Sequence, residues 1–184
     1  RTAIGTLGGS LAGIPPCELA ARVAREAIGR SGFDASQIGM TVMGNVIHTE
    51  PRDMYLSRIA AIEAGVPETS PALTLNRLCG SGLQAVISAY ESLALGNAAI
   101  ALAGGAESMS RAGHLMTASR FGQKMGDVTA TDMMIGALTD PSGNGHMGNT
   151  AENVADRHRT SSSSQDAHAV RSHERAKAAR DRGH

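Results

Sequence analysis

At 184 residues the chain is long enough for one domain with its own core, or for one half of a larger two-domain protein, and too long for a linker. Its 17 basic and 17 acidic side chains cancel, which excludes the bulk charge that nucleic acid or an anionic membrane would call for. Hydrophobic residues make up 41% but aromatics only 2%, and 22 glycines accompany 9 methionines, so the core has to be built from small and flexible side chains with backbones pressed together.

The chain opens on Arg1-Thr2-Ala3-Ile4-Gly5, with no initiator Met and no apolar signal core, as expected of a sequence cut inside a protein rather than targeted. Pro15-Pro16 marks a helix start, and Leu19, Val23 and Ala27 with Ala20, Ala24 and Ile28 keep an apolar face as far as Gly32. Met40 to Met43 reads as a short buried strand ending at Gly44-Asn45, and Asp53 to Ala64 returns to helical spacing through Met54, Ile59, Ala60 and Ile62. Pro71 to Leu75 is a second strand. After Cys79-Gly-Ser-Gly82, the residues Leu83, Val86, Ile87, Tyr90 and Leu93 share one helical face that closes at Gly96-Asn97. Ala98 to Ala103 is a third strand, and the apolar stretch it belongs to is broken at Gly104-Gly105, far short of the ~20 residues a membrane helix needs. Strands alternating with helices in this way predict an α/β class with right-handed crossovers and a mainly parallel sheet.

Residues 106 to 147 break the rhythm: Gly, Ser, Thr and Met are frequent and Arg111, Arg120 and Lys124 add positive charge. A long excursion inside a compact domain is usually functional or an interface. Asn149 to His158 and Gln165 to Arg180 read as helices, the second solvated on most sides, with Ser161 to Ser164 as a cap or short loop between them. Two cysteines, Cys17 and Cys79, are no disulfide framework, and a reducing, cytoplasmic compartment is the default reading.

The sharpest local signal is Asn76-Arg77-Leu78-Cys79-Gly80-Ser81-Gly82, which places a thiol where a strand stops and a long helix starts. A helix N-terminus carries about half a positive charge and free amide donors, and both favour thiolate over thiol. Gly80 and Gly82 permit the tight turn and leave room for a carbonyl to approach the backbone. Two readings stay open at this point: a nucleophile for acyl transfer, or a small buried hydrophobe. Cys17, flanked by Pro15, Pro16 and Glu18 with no glycine clearance, reads as structural.

These residues resemble the thiolase family. Asn76-Arg-Leu-Cys-Gly-Ser-Gly-Leu-Gln-Ala85 looks like its acylated-cysteine motif and Gly104-Gly-Ala-Glu-Ser-Met-Ser110 like the segment that follows it. Arg1-Thr-Ala-Ile-Gly5, Gly44-Asn-Val46 and His146-Met-Gly-Asn-Thr-Ala-Glu-Asn153 are similar to its first loop entry, second-strand turn and substrate-lining segment. The resemblance is nearest to bacterial acetyl-CoA acetyltransferases and β-ketothiolases. It implies a thiolase-like fold, the first half of a layered α-β-α-β-α sandwich with a mixed, mainly parallel sheet. Residues 1–108 would be the core half carrying the nucleophile, and 109–184 the start of the excursion covering the active site with its following helices.

On the same resemblance, Cys79 accepts an acyl group from acyl-CoA and its amide helps bind the oxyanion, while Leu138, His146 and Met147 line the pantetheine and acyl pocket. His114, Arg120 and Lys124 fall in the stretch similar to the family's tetramer-forming loop. Coenzyme A thioesters are implied as substrates with no permanently bound cofactor or metal, and a homodimer or homotetramer as the assembly, with neither nucleic acid nor membrane as partner. The family's Gly-His-Pro histidine, second cysteine and water-holding Asn belong to its second half and have no counterpart among these 184 residues. The implied activity is acyl-CoA C-acetyltransfer, forming or cleaving 3-ketoacyl-CoA. A ketoacyl synthase, or a non-catalytic thiolase-like assembly subunit, are the alternatives, and Arg77-Leu-Cys-Gly-Ser-Gly82 argues against the synthase.

Overall fold

Strand β1 (Met40–Gly44) lies between β2 (Ala72–Leu75) and β3 (Ala101–Gly105) in a parallel sheet of order β2-β1-β3. The structure, a computed structural model, describes residues 1–183. The chain forms two compact units, Arg1–Ala137 and Leu138–His184. In the first, helix α1 (Pro16–Ser31) starts on a proline whose missing amide hydrogen would have had no partner and stops at Gly32, φ 79°, in the left-handed region. Of the face the spacing predicts, Leu19, Ala20, Ala24 and Ile28 are buried, Val23 is half-buried and Ala27 faces solvent, and Cys17 is buried beside them.

Successive strand residues point to opposite faces, and this decides what covers the sheet. Met43 packs with Cys17, Ala20 and Ala24 of α1 and with Leu56 and Ala60 of α2 (Leu56–Glu63). Its neighbour Val42 packs against Ala85 and Ala89 of α3 (Ser81–Ala94) on the other side. The chain steps outward from β1 to β2 and back across β1 to β3, and crossovers of one hand then put α2 and α3 on opposite faces. The expected helix from Asp53 is a short 3₁₀ turn, Pro51–Tyr55, followed by α2, so Met54 is exposed and Ser57 is buried instead.

The apolar face read for α3 is the one that faces outward. Ser81, Ala85 and Ala89 lie on the sheet, while Leu83 and Tyr90 are each 68% exposed and Val86, Ile87 and Leu93 are exposed beside them. Small residues win the sheet side because the helix start sits almost on β1: a Cβ built on Gly44 would lie 2.8 Å from the Ser81 Cβ.

The first unit continues past residue 108 through an antiparallel ribbon of β4 (His114–Leu115) and β5 (Thr131–Asp132) and the short helix α4 (Met133–Ala137). In the second unit β6 (Thr139–Asp140) pairs antiparallel with β7 (Gly145–His146), followed by α5 (Met147–His158) and α6 (Ser162–Asp181). Helix α6 has no buried residue and is capped by the Ser161 hydroxyl, which accepts from Ser164 N. No helix among the described residues is long and apolar enough to cross a membrane.

Candidate active site

Parallel strands deliver all their C-termini to one edge, where ligands of open α/β sheets bind. Here that edge carries three loops, entered from Gly44, Leu75 and Gly105, which are in register with one another. The Cys79 loop follows β2. Leu78 has φ 47°, left-handed backbone that costs a residue with a Cβ roughly 1–2 kcal/mol. Hydrogen bonds hold it there: Leu78 N donates to Asn76 Oδ1 at 2.9 Å, and the Ser81 hydroxyl donates to Leu78 O at 2.7 Å. The same hydroxyl accepts from Arg77 N at 2.8 Å, and the Gly80 and Ser81 amides close turns onto Arg77 O and Leu78 O. The Arg77 guanidinium reaches Gln84, one turn into α3.

This strained turn leaves Cys79 exposed at the foot of α3, two residues before its first helical residue. Within this chain Cys79 is exposed rather than packed in a core. Cys17 is the opposite case. It is 1% exposed, its thiol donates to Asp53 Oδ1 at 3.4 Å, and burial, then that bond and the Asp53 charge, push it up to about 12. A thiol that stays protonated in the core is no nucleophile.

The glycines of the turn differ from each other. A Cβ on Gly80 would come within 3.3 Å of Arg77 O, whereas one on Gly82 would meet nothing within 4 Å. Clearance at Gly80 is thus required by the chain itself, and at Gly82 it is open space over the helix start. Across the edge, Glu107 accepts from Val46 N at 2.9 Å, Ile47 N at 3.0 Å and Asn45 Nδ2 at 3.2 Å. Burial raises its carboxyl above the ordinary value against the pull of those amides. The segment after β3 is thereby tied to the one after β1. Arg111 pairs with Glu50 at 2.9 Å and holds the start of the excursion to the same unit.

The other sequence candidates fall into two groups. Leu138, His146 and Met147 come together in the second unit: Met147 N donates to Leu138 O at 2.8 Å, and His146 Nδ1 caps α5 by accepting from Gly148 N at 3.1 Å. Leu138 is half-buried and the other two are exposed. His114 pairs with Asp132 across the β4–β5 ribbon, and Arg120 and Lys124 are solvated. Sequence reasoning assigned no role to Asn76, Ser81 or Glu107, although each lies inside a quoted motif; only their hydrogen bonds show what they hold. No cluster of three or more His, Cys, Asp or Glu suited to a metal occurs among the described residues.

The family model described as "Thiolase, N-terminal domain" matches residues 1–184. The chain belongs to the thiolase family. A beta-ketothiolase, BktB, of Cupriavidus necator is 56% identical over 179 residues, covering 97% of this chain and 45% of that protein. An acetyl-CoA acetyltransferase of the same organism is 44% identical over 184 residues, covering 100% of this chain and 47% of that protein. The crystal structure of human mitochondrial 3-ketoacyl-CoA thiolase in complex with CoA superposes with TM-score 0.94 at 36% identity, over 97% of this chain and 46% of that one. The α/β, thiolase-like fold expected from the sequence is the fold observed. This thiolase chain spans about half the length of the curated relatives it matches.

Proposed function

We propose that this chain supplies the nucleophilic half of an acyl-CoA C-acetyltransferase. The observation that carries the reading is the exposed Cys79, held on a strained turn at the start of α3 in a chain of the thiolase family. The Cys79 thiolate attacks the thioester carbon of acyl-CoA, the bond from that carbon to the CoA sulfur breaks, and CoA leaves carrying the proton the thiol gave up. The acyl group is then a thioester on Cys79. A second acyl-CoA, deprotonated at its α carbon, attacks that acyl carbon; a carbon–carbon bond forms, the Cys79 thiolate is released and 3-ketoacyl-CoA departs. Thiolysis is the reverse. Amides at the start of α3, the Cys79 amide among them, stabilise the oxyanion of each tetrahedral intermediate.

In this reading Leu138, His146 and Met147 contact the pantetheine and acyl parts of the substrate, and Gly80 and Gly82 support the turn. Residues 1–108 form the core half, and 109–184 begin the excursion over the site. The substrates are coenzyme A thioesters with no resident cofactor, and the assembly is a cytoplasmic homodimer or homotetramer. The remaining thiolase sequence supplies the base for the thiol and the group that removes the α proton. What supports this is the motif order, the fold of a relative whose structure contains CoA, and the contrast between the two thiols.

The test joins residues 1–184 to the remaining thiolase sequence, exposes the protein to acetyl-CoA, and maps the acetyl group by peptide mass spectrometry after acid quench. The expected result is one acetyl on Cys79, matched by one released CoA and abolished in Cys79→Ala. An acetyl group on another residue, or persisting in that variant, overturns the reading.

A further inference from the structure

Leu78 poses a question that the nucleophile alone does not answer. The residue is 55% exposed and its φ is 47°, so no packing obliges this leucine to hold a left-handed conformation. Both of its peptide groups are tied instead. The amide ahead of it goes to Asn76 Oδ1 at 2.9 Å, and the carbonyl behind it takes the Ser81 hydroxyl at 2.7 Å as well as the Ser81 amide at 3.0 Å. Ser81 is 5% exposed and packed on the sheet, because its Cβ and carbonyl rest against Gly44 of β1, where a Cβ would come within 2.8 to 3.0 Å of them. Its one oxygen both donates, to Leu78 O, and accepts, from Arg77 N at 2.8 Å, so its only proton and one of its two lone pairs are engaged in the turn rather than in capping α3. The carbonyl of Leu78 belongs to the peptide plane that carries the Cys79 amide, and rotating that plane turns both the amide and the thiol.

We propose that Ser81 and Asn76 are positioning residues for Cys79: Ser81, anchored on β1 at Gly44, and Asn76, through its bond to Leu78 N, lock Leu78 in the left-handed conformation that aims the Cys79 thiol at the acyl carbon and its amide at the acyl oxygen. The inference rests on the reading of Cys79 as the acylated nucleophile. Without the lock Leu78 relaxes to negative φ, the preferred region for leucine, and the thiol leaves its line of attack. Misplacement on the scale of an ångström lowers the chemical step while leaving substrate affinity intact.

The experiment is rapid-quench acylation by acetyl-CoA in residues 1–184 joined to the remaining thiolase sequence. The variants are Ser81→Ala, Asn76→Ala, Asn76→Asp and Cys79→Ala, and each is also melted. Asn76 is exposed, so its variants fold even if Ser81→Ala proves unstable. Ser81→Ala and Asn76→Ala should lower the saturating acylation rate roughly 10- to 100-fold with the half-saturating acetyl-CoA concentration unchanged. Asn76→Asp, which keeps the acceptor for Leu78 N, should recover most of the rate. If both alanine variants acylate Cys79 at the wild-type saturating rate, or if Asn76→Asp is as slow as Asn76→Ala, the positioning role is overturned while the nucleophile reading stands. If Cys79→Ala still acquires acetyl, the nucleophile reading itself fails, whatever the other variants do.

Discussion

The two cysteines show how little residue identity decides and how much surroundings do. Both lie near a helix start. Cys17 is sealed in the core, where burial first and then the Asp53 carboxylate beside it push it up to about 12 from 9.0, and Cys79 stands exposed on a turn made of glycine and hydrogen bonds. Iodoacetamide at neutral pH should therefore label Cys79 in the folded protein and leave Cys17 until it unfolds, as peptide mapping would show. The reverse order would remove the argument from the turn. Cys17 also predicts a pH effect of definite sign. Its folded value lies above its unfolded one, so the folded state holds the proton more tightly and the associated stability is present below about pH 9.0 and lost as pH rises toward about 12. Urea midpoints across that window should fall less steeply in Cys17→Ser than in the parent; parallel curves would contradict the assignment.

Elements built on clear periodicity were legible before the structure, and those built on close contact were not. Helix α1 follows from its prolines, its apolar face and Gly32, and the three strands from apolar runs bounded by turn residues, although β3 starts at Ala101 rather than Ala98 and runs through Gly104-Gly105. The shared face of Leu83, Val86, Ile87, Tyr90 and Leu93 on α3 was legible, but not that it points away from the sheet, where the approach of Ser81 to Gly44 admits only small residues. The ribbons β4–β5 and β6–β7 are two residues per strand, too short to carry alternation. Cys79 was legible as a motif, whereas the lock formed by Ser81 and Asn76 depends on the φ of Leu78, which composition does not encode. The glycines make this testable as a pair. Gly44→Ala puts a Cβ 2.8 Å from the Ser81 Cβ and should cost about 1–3 kcal/mol in urea unfolding. Gly82→Ala meets nothing within 4 Å in the first turn of α3 and should stabilise by up to about 1 kcal/mol, while slowing acylation if the substrate passes over it. Equal effects on stability would mean that the close approach of α3 to β1 is misdescribed.

At the scale of the molecule, the exposed row Leu83, Val86, Ile87, Tyr90 and Leu93 is a contiguous apolar face on the helix that starts beside Cys79. Surfaces of this kind are covered in the working protein or associate when left bare. Residues 1–184 alone should elute from size exclusion as concentration-dependent assemblies. Leu83→Gln with Tyr90→Ser, both at exposed positions, should reduce that association without lowering the melting temperature. A monomer at all concentrations would show that the face needs no partner.

In the proposed function this chain carries the thiolase nucleophile, and the rest of the thiolase sequence supplies the proton-transfer groups. Each positioned proton-transfer group contributes roughly 10²- to 10⁴-fold to a rate. Neither role has a counterpart here by motif. The most direct measurement is CoA-dependent cleavage of acetoacetyl-CoA by residues 1–184, alone and joined to the remaining thiolase sequence, each with Cys79→Ala as control. The account predicts no turnover from the chain alone, turnover from the joined protein, and loss of that turnover in Cys79→Ala. Robust cleavage by residues 1–184 alone that disappears in Cys79→Ala would show a complete catalytic set within this chain. Cleavage by the joined protein that survives Cys79→Ala would show that the nucleophile is another residue.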